Sequence, residues 1–391
     1  MIQNFNYYTP TRVVFGKGTE NQAGELVKSY QARKVLVHYG SQHAVKSGLI
    51  DRICKSLNEA GVEYVTLGGV VPNPRLSLVY KGIDLCKKEN VDFLLAVGGG
   101  SVIDSTKAIA YGLANEGDVW ELYERKKKAT GCFPLGVVLT IAASGSEMSN
   151  SSVITKEDGW IKRSYNDDIA RPKFAVMDPE LTMSLPDYQT ESGCTDIMMH
   201  TMERYFVNGG SMGLTDEIAQ GLLRTVMKNA LILHKDPQNY EARAEVMWAG
   251  SLSHNGLTGC GIKKGDFVCH GLEHELGAMF DVTHGAGLAA VWSSWARYVM
   301  LDCLDRFAKF AETVLDIHDE SPEETAAEGI DAMEDFFHEI GMPTSLSELG
   351  VHPTEEQFNK LADDCFAHNG HKGSAKVMDR DDYYKIYKIA A

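Results

Sequence analysis

Over residues 34–177, short apolar runs rich in β-branched residues alternate with longer stretches whose apolar positions recur every three or four residues. That alternation predicts a parallel sheet covered by helices. The candidate strands are 34–39 (KVLVHY), 63–67 (EYVTL), 92–97 (DFLLAV), 135–140 (LGVVLT) and 174–177 (FAVM); helical spacing falls over 45–60, 76–89 and 102–114. Ahead of them, FNYYT and RVVFG flank a proline-containing turn and predict a β-hairpin. Beyond Asp187 the strand signals fade, and helical patterns run over 191–206, 215–233, 240–257 and 304–314. The chain of 391 residues is longer than a single core usually serves. Two domains are therefore expected: an α/β domain over 1–187 and an all-helical domain over 188–391. They meet where Pro186 ends one element and Asp187 caps the next.

Composition narrows the partners. Asp and Glu (54) outnumber Lys and Arg (38), and the formal charge of -16 repels nucleic-acid phosphates and anionic lipid. No stretch approaches the roughly 18 apolar residues needed to span a bilayer, and the N-terminus lacks the basic and apolar regions of a leader. Neither a nucleic acid nor a membrane is expected as partner. The eight cysteines form no C-x-x-C pair and no disulfide-like rhythm, which points to reduced thiols in the cytoplasm.

Three segments carry candidate chemistry. GGGSVID, from Gly98 to Asp104, follows an apolar strand and opens a helix. Glycines there let a ligand approach the backbone, the helix N-terminus offers free N–H groups to a phosphate, and Ser101 adds a hydroxyl; a purely structural turn reads equally well. LTIAASGSEMS also follows a strand, so that Thr140, Ser144 and Ser146 either line a dinucleotide from its other side or make an ordinary polar loop. In GCTDIMMHTMERYF, Asp196 and His200 stand four residues apart on one helix face, as metal ligands or as a hydrogen-bonded pair. CHGLEHELGAMFDVTHGAG crowds His270, His274 and His284 into an apolar stretch, with His284 where that helix turns. Each alone reads as a core histidine; with Asp196 and His200 they suggest a metal centre. The same residues formally match H-x-x-E-H, a zinc hydrolase motif with Glu273 as base, but that reading leaves both glycine/serine loops without a role.

Taken together, GGGSxxD, SGSEM, D-x-x-x-H and H-x-x-x-H followed by a further histidine ten residues on resemble the iron-containing alcohol dehydrogenases, in particular the butanol dehydrogenase and broad-range aldehyde reductase branch. The likeness extends from NYYTPTRVVFGKG through PNPR to the C-terminal helices. It implies a Rossmann-like α/β dinucleotide-binding domain followed by an all-α metal-binding domain, the architecture of dehydroquinate synthase. It also implies Asp196, His200, His270 and His284 as ligands of one divalent metal, Fe(II) or else Zn, with His274 beside the nicotinamide as a catalytic, non-ligating residue. Gly98, Gly99, Gly100, Ser101, Thr140, Ser144, Ser146, Asn73 and Lys162 match cofactor-contacting positions. Asp104 matches too, but a carboxylate repels pyrophosphate, so it is expected nearer the nicotinamide or bound to backbone N–H groups. Where NAD-preferring members carry an Asp after the first strand, this chain has Gly40 and Ser41; no carboxylate repels a 2′-phosphate there, and NADP is favoured over NAD.

The expected reaction interconverts a small primary alcohol, such as butanol, and its aldehyde, the metal polarising the substrate oxygen. A polyol dehydrogenase and a dehydroquinate-synthase-like enzyme share the architecture and stay open as alternatives. A cofactor sensor without catalysis has no use for four metal ligands. Strand exchange through the N-terminal hairpin would give a homodimer.

Overall fold

The computed structural model describes residues 2–40 and 42–391. The chain divides into two compact units, Tyr8–Leu185 and Pro186–Ala391, with the N-terminal segment through Tyr7 joined to the second. The observed junction thus lies two residues before the one the sequence suggests.

In the first unit six strands form one parallel sheet in the order β1-β8-β5-β4-β2-β3. These are β1 (Arg12–Phe15), β2 (Lys34–Tyr39), β3 (Glu63–Leu67), β4 (Phe93–Gly98), β5 (Leu135–Leu139) and β8 (Phe174–Met177); β6 (Ser151–Lys156) and β7 (Ile161–Asn166) make a separate antiparallel pair. Every residue of β4 and β5 is buried, as a strand covered by helices on both faces requires. Alternate side chains feed two cores. Leu36 and Leu94 pack among Val79, Ile83 and Ile109 on one face, while Val35, Val37, Phe93, Leu95 and Val97 pack among Val27, Ile53 and Leu57 on the other.

Because β2 runs on to β3 on one side while β4 and β5 lie on the other, the chain reverses its winding between β2 and β4. The carboxyl ends of two strands at such a switch point are the usual ligand site of an open parallel sheet. Gly40 follows β2 and Gly98 closes β4, with Tyr39 and Val97 level in the register.

Several local expectations need correction. The N-terminal hairpin does not form: residues 2–11 have no regular structure, and β1 pairs in parallel with β8 instead. Joining an existing sheet stabilises a four-residue strand that an isolated hairpin cannot. The helix expected over 45–60 is broken at Gly48, whose φ of 72° separates Gln42–Lys46 from Leu49–Glu59. The pair β6–β7 was missed, because its residues, SSVITK and IKRSYN, mix polar and apolar positions without a clean alternation.

The second unit is all helical. Its Asp187–Tyr205 helix is buried on nearly every side from Thr190 onward, which makes it the centre of the unit. Around it lie helices Gly213–Lys235, Tyr240–His254, Val268–Phe280, His284–Val299, Leu304–Val314, Pro322–Glu339, Glu355–Asn369 and Arg380–Ile389. No helix among the described residues is long and apolar enough to cross a membrane.

Candidate active site

Burying an ionisable side chain costs free energy unless it is paired or holds an ion. The central helix nonetheless presents Asp196, His200 and Glu203 inward, with 3%, 4% and 0% exposure. Positions i, i+4 and i+7 share one helix face. That face meets the Val268–Phe280 helix, which brings His270 and Glu273, and the start of the next helix, whose first residue is His284.

The approach of the Val268–Phe280 helix is fixed by its lead-in. Phe267 has a left-handed φ of 57°, with the Arg204 guanidinium 4.8 Å above its ring, and the Asp266 carboxylate accepts from the Val268 N–H on the far side of this turn. A bulky residue at positive φ is strained and persists only when its surroundings hold it. Here the Asp266 N–H donates to the Glu203 carbonyl at 2.6 Å, tying this turn to the central helix.

Three imidazoles are oriented in the same sense. His200 Nδ1 lies 3.0 Å from the Asp196 carbonyl oxygen. His270 Nδ1 meets Glu203 Oε2, and His284 Nδ1 meets Glu273 Oε2. A carbonyl or carboxylate oxygen can only accept, so each Nδ1 carries a proton and each Nε2 is turned away from that anchor. Carboxylates behind the ring fix tautomer and direction in just this way for metal-binding histidines.

His270 Nε2 and His284 Nε2 each lie 3.7 Å from Asp196 Oδ1. These distances are too long for hydrogen bonds. They suit donors that share one cation, since two atoms each about 2.1 Å from an ion at a tetrahedral angle stand about 3.4 Å apart. Asp196 Oδ1 also lies 3.0 Å from His200 Nδ1, and His270 Nε2 is buried without a hydrogen-bond partner among the described residues. A buried ring nitrogen left unpaired beside a carboxylate is a group that a bound cation can satisfy. Burial opposes ionisation of Asp196, but the imidazoles of His200 and His284 prevail and hold its carboxyl well below the usual range.

Asp196, His270 and His284 form one group whose donor atoms all lie within 4.8 Å of one another; Glu273, His274 and His284 form a second. His200 adjoins the first group, its ring 4.4 Å from that of His270, without belonging to the mutually close set. His274 stands 5.9 Å from His284 and 6.4 Å from His270, ring to ring. Because Glu273 is engaged by His284, it is not placed to act as the base of an H-x-x-E-H hydrolase.

Glu203 and His254 escaped the sequence reading. Glu203 follows His200 by three residues, and an acidic residue continuing the Asp196/His200 face was the available signal. His254, at the end of its helix, packs edge-on against His200 with ring centroids 4.0 Å apart, which no spacing along the chain reveals.

In the α/β unit the turn is built of glycine for a structural reason. A Cβ at Gly100 would lie 2.3 Å from Ser144 Oγ, and one at Gly99 would lie 3.0 Å from the Ile141 side chain, so the 141–144 loop rests directly on the start of the Gly100–Ala114 helix. Thr140 joins the two segments by donating its N–H to the Gly98 carbonyl. Asn73 is buried with a left-handed φ of 53°, and its carbonyl accepts from Arg75. Lys162 is buried on β7, opposite Thr155. Ser41 lies outside the described residues.

Asp104 faces inward. It accepts from Ser146 Oγ at 2.6 Å and from the Val153 N–H at 2.9 Å. This is the second of its two expected roles, binding backbone N–H groups, and it commits the Ser146 hydroxyl as well.

A glycine turn at the switch point of a parallel sheet and a carboxylate–imidazole cluster on buried helices are the parts expected of a metal-dependent oxidoreductase. Residues 10–179 match the family model for iron-containing alcohol dehydrogenase, and residues 190–391 match that for the C-terminal part of the Fe-containing alcohol dehydrogenase family. The chain belongs to the iron-containing alcohol dehydrogenase family. It is 38% identical over 391 residues to the probable NADH-dependent butanol dehydrogenase 1 of Bacillus subtilis, covering 100% of both chains. It is 35% identical over 353 residues to the NADPH-dependent aldehyde reductase YqhD of Escherichia coli, covering 90% of each. Among solved structures, NADH-dependent butanol dehydrogenase A of Thermotoga maritima superposes with a TM-score of 0.96 at 37% identity, covering 100% of this chain and 99% of that one. The protein is therefore an enzyme, an oxidoreductase that uses a nicotinamide cofactor and a metal, and its fold class is the one the sequence implied.

Proposed function

We propose that this enzyme interconverts small primary alcohols and aldehydes, with Asp196, His200, His270 and His284 holding one divalent cation, Fe(II) in preference to Zn. The observation that carries this reading is the common orientation of the three imidazoles, each with its Nδ1 proton taken by an oxygen. A cation bound there supplies Lewis acidity, which lowers the cost of negative charge on the substrate oxygen. The relatives named for butanol and for aldehydes support the substrate class.

The chain's own groups then have distinct tasks. Glu203 and Glu273 hold two imidazoles in register. His274 moves the proton to and from the substrate oxygen. Gly98, Gly99, Gly100 and Ser101 receive the dinucleotide phosphates at the helix N-terminus, with Thr140, Ser144 and Ser146 forming the loop over them and Asn73 and Lys162 completing the site. The sequence carries Gly40 and Ser41 and no carboxylate directly after β2, so NADP(H) is preferred to NAD(H). The absence of disulfides among all eight cysteines supports a reducing, cytoplasmic setting. With the hairpin gone, the proposed homodimer rests on β1, an edge strand paired on one side only. Light scattering that finds monomer alone removes it.

The test is elemental analysis of the purified protein together with NADPH and NADH oxidation by butanal, with and without a chelator. The expected result is about one metal per chain and oxidation that a chelator abolishes, faster with NADPH. Metal-independent oxidation, or none with either nucleotide, overturns the reading.

A further inference from the structure

Lys107 lies on the Gly100–Ala114 helix and has no exposed surface. Taking an ammonium out of water is unfavourable, a cost that a leucine or methionine of similar volume would avoid. Its Nζ is ringed by oxygens from residues 146–151, the loop that leads into β6 and the first residue of that strand. It donates to the Ser151 carbonyl at 2.7 Å, the Ser146 carbonyl at 2.8 Å, Ser146 Oγ at 2.9 Å and the Ser149 carbonyl at 3.0 Å. Burial pushes the ammonium down to about 8, with Asp104 and Glu147 opposing that shift.

Asp104, three residues earlier on the same helix face, grips the same segment with the opposite charge. Its carboxylate accepts from Ser146 Oγ and the Val153 N–H, and its carbonyl accepts from Ser152 Oγ at 2.9 Å. Residues 146–153 are thus wound onto one side of the helix by a donor and an acceptor about one turn apart. The carbonyls of Ser146 and Ser149 lie outside any strand or helix, and Lys107 satisfies both.

The segment does not end at Ser146. It continues back through Ser144 and Ile141, the residues that touch the glycine turn at the head of the same helix. There the loop presses directly on the turn, the backbone that a dinucleotide pyrophosphate would meet. A latch near the middle of the helix therefore fixes how the loop sits against the turn at its start.

We propose that Lys107, with Asp104, is a positioning residue for the nicotinamide cofactor: it touches no ligand itself but holds the 140–146 loop at the spacing from the Gly98–Ser101 turn that dinucleotide binding requires. The inference rests on the dinucleotide site of the proposed function. It also reassigns Asp104 and Ser146 from cofactor contact to the latch.

The experiment uses the full-length, metal-loaded enzyme and its Lys107→Met variant, with NADPH binding followed by fluorescence titration. At least tenfold weaker binding is expected, with faster amide hydrogen exchange confined to 140–153. Bound metal should stay at the wild-type level and KM for butanal within twofold, because neither depends on this loop. NADPH affinity within twofold of wild type in the folded variant overturns the proposal. So does a parallel loss of NADPH affinity, butanal KM and metal, which marks a general structural role. Should Lys107→Met fail to fold, Ser146→Ala decides, since it removes the hydroxyl shared by Lys107 and Asp104. A three- to tenfold loss of NADPH affinity is then expected, and an unchanged value overturns the latch. Wild-type protein that binds no dinucleotide refutes instead the proposed function.

Discussion

Glu273, fully buried beside His274 in the chain, accepts a hydrogen bond from Nδ1 of His284. The motif that suggests a hydrolytic base thus supplies an anchor for a histidine eleven residues on. Glu273→Gln keeps the shape and an acceptor oxygen but removes the charge that raises imidazole basicity. Loss of such an outer partner costs about 10- to 100-fold in metal affinity, and the same range is expected for Glu203→Gln behind His270. Competition against a chromophoric chelator measures it. Affinities within threefold of wild type would show that the carboxylates do not serve the cation.

His274 stands near both His270 and His284 without entering the group around Asp196. If it moves a proton rather than holding the cation, His274→Ala retains metal while kcat falls by about 10²- to 10⁴-fold. His270→Ala, by contrast, loses metal and activity together. Elemental analysis paired with NADPH oxidation separates the two, and an unchanged kcat in His274→Ala removes it from proton transfer.

What was legible in the sequence follows a physical division. The strands of the sheet could be read because β2, β4, β5 and β8 are short, almost wholly apolar runs whose burial dictates their composition. The Asp196/His200 pair could be read because one turn of helix sets its geometry locally. Glu203's contact with His270 spans 67 residues, and the grip of Lys107 on Ser146 spans 39. Such pairings are fixed by how elements pack, and no local period encodes them. For the same reason Asp104 and Ser146 match a cofactor pattern by position while their side chains turn to one another.

His38 gives a pH signature of the α/β unit far from any metal ligand in sequence. Its ring is wholly buried, with Nδ1 2.8 Å from the Leu67 carbonyl and Nε2 2.9 Å from Ser105 Oγ. Burial pushes it down to about 4 from an ordinary 6.5. The folded state therefore resists the proton that the unfolded chain accepts. The stability concerned is fully present above pH 6.5 and lost progressively as pH falls toward 4, amounting to about 3 kcal/mol. Urea denaturation of wild type and His38→Gln at pH 7.5 and pH 4.5 isolates it from the carboxylates common to both. The wild-type advantage should shrink by about 2–3 kcal/mol at the lower pH, and a constant difference would show that His38 is not the titrating group.

Gly285, next to His284, is where two helices of the candidate site come closest. A Cβ there would lie 2.0 Å from the Ser192 carbonyl oxygen and 2.6 Å from its Oγ, so only glycine lets the start of the His284–Val299 helix rest on the backbone of the Asp187–Tyr205 helix. Two residues on, Gly287 leaves room for Glu273, whose Cγ would meet a Cβ at 3.0 Å. Gly285→Ala must push the helices apart, and since neither contact at 192 can be relieved by rotating a long side chain, the overpacking cost is about 1–3 kcal/mol. The same displacement draws His284 away from Asp196, so metal affinity should fall as well. Gly221, on the Gly213–Lys235 helix, is the control: a Cβ there meets nothing within 4 Å. Gly221→Ala should stabilise the fold by up to about 1 kcal/mol, as helix propensity predicts, and leave metal binding unchanged. Denaturation and chelator competition on the pair decide the matter. A Gly285→Ala protein that binds metal like wild type would mean that this helix contact does not set the distance between His284 and Asp196.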